Sequence, residues 1–292
     1  MEVWTVQKLL NWITDYFTKA SIADARLSAE MLMSEVLNKQ RIQLYTDFEE
    51  IVPKPQLDKL HSLIKRAAAN EPVAYLIGRT EFYSLEIFVN EHTLIPRPET
   101  EQLVEKAIDF LRTRKNKQMV LDLCTGSGCI AVAIAKNFPA ADIIATDICE
   151  SALQVAAKNI ENHHLNEQIK LLQGNLFDPV IPQLDTSAFD LIVSNPPYIS
   201  TEEFEKLDKN VKDYEPKLAL LAGDEGLDVY KKIAAQVNQF LKPDAQLIME
   251  IGYKQGPSVK DMLENLHCFS EVKIIKDFQR LDRIVIAKKS SQ

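Results

Sequence analysis

Glycine and cysteine are scarce: the 292 residues include 8 glycines and 4 cysteines. Cys124, Cys129, Cys149 and Cys268 form no C-x-x-C pair and have no histidine at zinc-ligand spacing, which argues against a disulfide scaffold or structural zinc, so no metal is expected. Long apolar runs are also missing. The longest, such as Cys129 to Ala135, fall far short of the ~20 residues that span a bilayer, and MEVWTVQKLLNW has no basic stretch followed by an apolar one. A soluble cytoplasmic chain with reduced thiols and no membrane partner is the expectation. Positive charge is in short supply too, with 34 Lys and Arg against 42 Asp and Glu for a net charge of -8. Residues 1–90 carry 10 basic and 12 acidic side chains, so no basic arm is hidden in the average. Such a chain lacks the field that draws proteins to polyphosphate, which argues against direct nucleic-acid binding.

What is present reads as about two domains. Apolar positions at helical spacing (Val6, Leu9, Leu10, Ile13 and Phe17; then Ala29, Leu32, Met33 and Val36; then Leu57, Leu60, Ile64 and Ala67) predict a small helical bundle over residues 1–72. Asp24 is placed to cap the second helix, and Pro53 and Pro55 mark the entry of the last one. The bundle carries no catalytic motif, so partner docking is its expected role. Residues 73–98 are rich in Tyr, Phe, Ile and Val and predict a β-hairpin linker. A helix then carries Leu103, Val104, Ala107, Ile108 and Leu111, and the RTRKNK run after it reads as a solvated connector.

Residues 99–292 alternate short apolar strands with helices: VLDLC, ADIIATD, IKLLQ, FDLIVSN, DAQLIMEIG, EVKIIKDF and DRIVIAKK. Alternation of this kind specifies a parallel sheet covered on both faces. Only a few residues separate the last two strands, too few for a crossover helix, so they pair antiparallel. The expected fold is α/β: a seven-stranded, doubly wound, Rossmann-like sheet with one reversed strand.

Between the first of these strands and the helix CIAVAIAKNF lies Asp122-Leu123-Cys124-Thr125-Gly126-Ser127-Gly128, which holds two of the eight glycines where backbone turns and approaches a ligand. Asp147 closes the next strand, where a carboxylate accepts the hydroxyl hydrogens of a ribose. Together they predict a nucleoside-cofactor site. Gly126-x-Gly128-x-x-Ala131 also satisfies the dinucleotide pattern, but no tyrosine is followed by lysine four positions on, as a short-chain dehydrogenase needs. S-adenosyl-L-methionine fits better.

The fourth strand delivers Asn195-Pro196-Pro197-Tyr198 to the carboxyl edge of the sheet. A planar nitrogen conjugated to a π system is a poor nucleophile, so a site that uses it must orient it. Acceptors for its two hydrogens, the Asn195 side-chain oxygen and the Pro196 carbonyl, would aim the lone pair at a methyl donor, while Tyr198 adds an aromatic face. An amino-methylating enzyme is the reading, either on a carboxamide or on the exocyclic amine of adenine (N6) or guanine (N2). The nucleobase substrates call for a basic channel that this chain does not advertise.

The segments EPVAYLIGRTEFYSLEIFV, LIPRPETE, DLCTGSGCIAVAIA, FDLIVSNPPYIS, EPKLALLAGDEGLDVYKKI and LIMEIGYKQ resemble the PrmC/HemK family of release-factor glutamine N5-methyltransferases over almost the whole chain. That resemblance implies methyl transfer to the glutamine of the GGQ loop of peptide chain release factors; the expected oligomeric state is a monomer. It places cofactor contacts at Asp122, Cys124, Thr125, Gly126, Ser127, Gly128, Asp147 and Asn195, the adenine site near Asn175, Leu176 and Phe177, and the acceptor at Asn195, Pro196, Pro197 and Tyr198. Cys124 stands where the family commonly has glycine, which is tolerated if its dihedrals are ordinary. Asn175 replaces a frequent acidic residue, Ser84 a frequent hairpin glycine, and QRLD a glycine-containing final turn. Glu99 and Thr100 start a helix or lid the cofactor's methionine end.

Overall fold

The computed structural model describes residues 3–181 and 188–291; residues 1, 2, 182–187 and 292, including the outer bounds of the expected first and last domains, lie outside the described residues. The chain forms two compact units, Met1–Arg79 with Asp208–Tyr214, and Thr80–Leu207 with Glu215–Gln292.

The first unit holds α1 (Val6–Lys19), α2 (Ala25–Leu37), α3 (Gln43–Thr46), α4 (Lys54–Ala68) and α5 (Val73–Ile77). The apolar stripes meet as expected, with Leu10, Ile13 and Phe17 packed among Leu32, Met33, Leu60 and Ile64. Pro53 occupies the N-cap of α4. Tyr214 belongs with this unit because its hydroxyl donates to the Ala69 carbonyl at 3.1 Å. Two expectations need correction. Asp24 sits at the N-cap of α2 but is left-handed (φ 48°) and its side chain makes no capping bond. Val73–Ile77, read as hairpin, is helical, because Pro72 presets the entry and left-handed Gly78 (φ 82°) closes the turn.

Strand β1 (Arg79–Phe82) starts at the last residue of that segment of the first unit and otherwise lies in the second, where β2 (Leu85–Phe88) completes the hairpin, followed by α6 (Pro98–Arg112), β3 (Gln118–Leu123), α7 (Cys129–Asn137), β4 (Ala141–Asp147), α8 (Glu150–Asn162), β5 (Ile169–Gln173), β6 (Phe189–Ser194) and α9 (Thr201–Glu205). The short helix α10 (Lys209–Lys212) lies in the first unit. A 3-10 turn at Lys217–Ala219, α11 (Asp228–Phe240), β7 (Leu241–Glu250), α12 (Gly256–Glu264), β8 (Phe269–Lys276) and β9 (Asp282–Lys289) complete the chain. Strand order is β5-β4-β3-β6-β7-β9-β8, parallel through β7, with β9 antiparallel to both its neighbours. This is the expected seven-stranded sheet with one reversed strand.

Several tight turns run without glycine. Tyr83 and Ser84, the two residues linking β1 to β2, both take positive φ (53° and 57°), the pattern of a type I′ turn. Arg280 in the QRLD turn is left-handed at 64°, and Cys124 at 59° does not meet the condition of ordinary dihedrals under which cysteine fits that position. Arg114 of the RTRKNK run is not simply solvated: it lies over the Phe110 ring at 4.7 Å and donates to the Asp244 carbonyl.

Candidate active site

Strand register builds the site. Leu123 pairs with Thr146 and with Ser194, Asp147 with Gln173, and Ser194 with Met249. The next residues along four parallel strands, Cys124, Gly174, Asn195 and Glu250, therefore emerge along one carboxyl edge beside Asp147. The strand order reverses between β3 and β6, where open α/β sheets bind their ligands.

A cavity of about 320 Å³ opens there, with Cys124 to Ser127, Asp147, Asn175, Leu176, Asn195 and Pro197 among its walls. Asp147 shapes the loop as well as the cavity: Oδ2 accepts from the Gly126 N–H at 2.8 Å and Oδ1 from Cys149 at 2.9 Å. Burial pushes its carboxyl above the ordinary range, and these backbone donors oppose the rise. Thr146 Oγ1 donates to the Leu176 carbonyl at 3.1 Å, holding the Gly174–Leu176 segment against the strand end. Apolar Ile130, Ile148, Ala152 and Leu176 face the same space.

Asp122, Gly128, Phe177, Pro196 and Tyr198 are not among the lining residues. Asp122 is fully buried under the loop, accepting from Thr125 Oγ1 at 2.6 Å, and burial pushes its carboxyl up to about 7. Phe177 stacks on Phe240 at 4.5 Å inside the core. Pro196 is buried. Burial also raises the thiols of Cys124 and Cys129, the latter to about 12, so both stay protonated and inert as nucleophiles at neutral pH.

Around Asn195 the structure assembles side chains that sequence reading did not join. Asn195 Nδ2 donates to Thr100 Oγ1 at 3.1 Å, and Thr100 Oγ1 donates to Glu250 Oε2 at 2.6 Å. The Tyr198 hydroxyl donates to Glu250 Oε1 at 3.2 Å. Glu250 is 1% exposed; burial pushes its carboxyl up, while Thr100, Arg283 and Tyr198 pull it down. Thr100 thus lines the cavity at the start of α6, whereas Glu99 does not. The adjacent wall, Pro216 to Gly223, is anchored by Arg97, which donates to Glu215 Oε1 at 2.6 Å. The signal for Glu250 was a lone carboxylate in the otherwise apolar end of β7, LIMEIG.

Among the described residues no group of His, Cys, Asp and Glu could hold a metal, and no helix is long and apolar enough to cross a membrane. The site presents a carboxylate, an amide and backbone N–H groups around an apolar slot, next to an oriented amide.

The PrmC N-terminal domain model matches residues 8–78, and the methyltransferase small domain model residues 102–211. The release factor glutamine methyltransferase of Rhodopirellula baltica is 40% identical over 98% of this chain and 97% of its own length. That of Geobacter sulfurreducens is 37% identical over 97% of this chain and 96% of its own. A crystal structure of a methyltransferase from Pyrococcus furiosus, 18% identical over 82% of this chain and 100% of that one, shares the fold with a TM-score of 0.50. With relatives this similar along nearly the whole length, the chain belongs to the family of release factor glutamine methyltransferases.

Proposed function

We propose that this chain transfers a methyl group from S-adenosyl-L-methionine to the side-chain amide nitrogen (N5) of the glutamine in the GGQ loop of peptide chain release factors, supporting translation termination. The observation that carries the reading is the orientation of Asn195. Its Nδ2 is committed to Thr100, and none of the described residues donates to its Oδ1. That oxygen is left to accept a hydrogen from an incoming carboxamide.

The donor set fits the cofactor. Asp147 offers acceptors for ribose hydroxyls, Asn175 an amide oxygen for an adenine amino group, and Ile148 and Leu176 apolar faces for its ring. The Cys124 to Gly128 loop is suited to the methionine end. Bound S-adenosyl-L-methionine supplies a methyl group on a sulfonium centre, activated toward a nucleophile. This chain's residues position and desolvate the nitrogen: Asn195 Oδ1 fixes one hydrogen, and the buried Pro196 and cavity-lining Pro197 hold the backbone rigid around it. As positive charge develops on nitrogen, the Asn195 dipole stabilises it, and the nitrogen then gives up one of its two original hydrogens to water as a proton, leaving the neutral N-methyl amide.

In this reading the helical domain, 1–72 with the 73–98 linker, docks the release factor, and the enzyme works as a cytoplasmic monomer. Labelled S-adenosyl-L-methionine offered with purified release factor, DNA and ribosomal RNA in parallel tests it. The expected product is a release factor methylated on the GGQ glutamine, located by mass spectrometry; methyl on a nucleobase alone overturns it.

A further inference from the structure

We infer that Glu250, through Thr100, is the positioning residue that sets which end of the Asn195 amide faces the acceptor nitrogen. The inference rests on the reading of Asn195 as the acceptor clamp and deepens it. Neither Glu250 nor Thr100 carries chemistry of its own; together they determine the polarity of a hydrogen-bond chain.

The argument is one of donor counting. An ionised carboxylate only accepts, a threonine hydroxyl has one proton, and an asparagine amide has an acceptor at one end and donors at the other. Glu250 Oε2 takes the Thr100 proton at 2.6 Å, so Thr100 Oγ1 has only lone pairs left for Asn195, 3.1 Å away. The amide must then turn its NH₂ toward Thr100 and its oxygen toward the cavity. Reversing the chain would send a donor to the acceptor site, where it would repel the N–H hydrogens of a carboxamide and turn the lone pair away from the methyl donor.

The surroundings make the polarity firm. Glu250 is 1% exposed, so water does not compete for its oxygens. Its second oxygen takes the Tyr198 hydroxyl at 3.2 Å, and its own carbonyl accepts from Tyr230 at 3.1 Å, which fixes the end of β7. Arg283 keeps a compensating positive charge nearby while paired to Asp277 at 3.1 Å. Asn195 and Tyr198, two ends of one tetrapeptide, are thereby referred to a single carboxylate. Register made this possible, because Ser194 pairs with Met249 and each is followed by a member of the chain.

The test is a double-mutant cycle on the full-length enzyme with release factor as acceptor. Glu250→Gln keeps the shape but lets either end of the side chain face Thr100, Thr100→Val deletes the relay, and Thr100→Ser preserves it. Expected are falls in kcat of about tenfold or more for Glu250→Gln and Thr100→Val, parental kcat for Thr100→Ser, and a double variant no slower than the worse single one. S-adenosylhomocysteine affinity, measured by calorimetry, should change less than about threefold in Glu250→Gln, because Glu250 does not line the cavity. Parental kcat in Glu250→Gln or in Thr100→Val, or losses that multiply in the double variant, overturn the inference. If Glu250→Gln does not fold, the Thr100→Val and Thr100→Ser pair decides it alone: equal kcat in the two overturns it. A parental enzyme that methylates no release factor but does methylate another acceptor refutes the proposed substrate instead, and the same cycle is then read on that acceptor.

Discussion

Gln255 holds Tyr198 by its backbone: Gln255 Nε2 donates to the Tyr198 carbonyl at 2.9 Å and to the Gly226 carbonyl at 3.1 Å, while Oε1 accepts from Gly252 N at 3.0 Å. One amide thus ties the Asn195–Tyr198 loop, the segment before α11 and the end of β7. Gln255→Glu would set a carboxylate oxygen against two carbonyls, whereas Gln255→Met keeps the volume and only removes the bonds. The expected order of kcat is parent, then Met, then Glu, with the Glu variant lowered by about two orders of magnitude as the loop is displaced. Steady-state kinetics of the three proteins would decide; a Glu variant as fast as the Met variant would show that this tie does not shape the site.

Much of the site was legible because it lies on strand ends. An apolar strand followed by a polar loop announces where chemistry sits, and Asn195, Asp147 and the Gly126 loop all follow such strands. What stayed hidden depends on register. Nothing local in LIMEIG says that Glu250 stands beside Asn195, or that Thr100, 95 residues upstream of Asn195, completes the bond chain. Asp122 and Phe177 were legible as members of the right segments, yet side-chain direction in a strand or turn put them beneath the cavity floor. Turn chemistry misled in the opposite sense, since Cys124, Ser84 and Arg280 adopt conformations for which glycine is the usual signal.

Ser84 offers the cleanest measure of that strain. It is exposed and left-handed at φ 57°, with the hairpin turn as its only evident structural duty. Ser84→Gly removes the Cβ penalty of this conformation, and an Xaa-Gly pair is the preferred type I′ turn. Stability should rise by about 1 kcal/mol, observable as a higher urea midpoint at unchanged slope. A lowered midpoint would mean that the freedom glycine gains in the unfolded chain outweighs the relieved strain.

Asp122 should make stability depend on pH in the direction opposite to that of a salt-bridged carboxylate. Its folded value is about 7 against an ordinary 3.8, because burial disfavours the charge. Below the lower value the group is neutral in both states. Between the two the unfolded chain releases the proton while the folded one keeps it, so folding weakens as pH rises and levels off above the folded value. Asp122→Asn abolishes this slope and retains an oxygen for Thr125. The melting temperature of the variant should therefore gain on the parent from pH 4 to pH 7, at up to about 1.4 kcal/mol per pH unit. Parallel melting curves across that range would refute the assignment.

Asn159 gives the last prediction, because its side chain is fully used. It is 0% exposed; Oδ1 accepts from Phe88 N at 2.7 Å, and Nδ2 donates to Phe88 O at 3.0 Å and to Ser127 O at 2.8 Å. Helix α8 is thereby bonded to the end of β2 on one side and to the cavity loop on the other. Asn159→Leu fills similar space but leaves one N–H and two carbonyls buried without these partners, a loss of about 3 kcal/mol or more. Because Ser127 lines the cavity, the freed loop should also weaken S-adenosylhomocysteine binding, by about tenfold in calorimetry at a temperature where the variant is folded. Asn159→Asp separates the two effects. It keeps the acceptor for Phe88 N but opposes both carbonyls with a buried charge, so it should destabilise more than leucine does. If the aspartate variant instead melted above the leucine variant at neutral pH, the two donated bonds would matter less than the accepted one, and the loop would owe its shape to Asp147 alone.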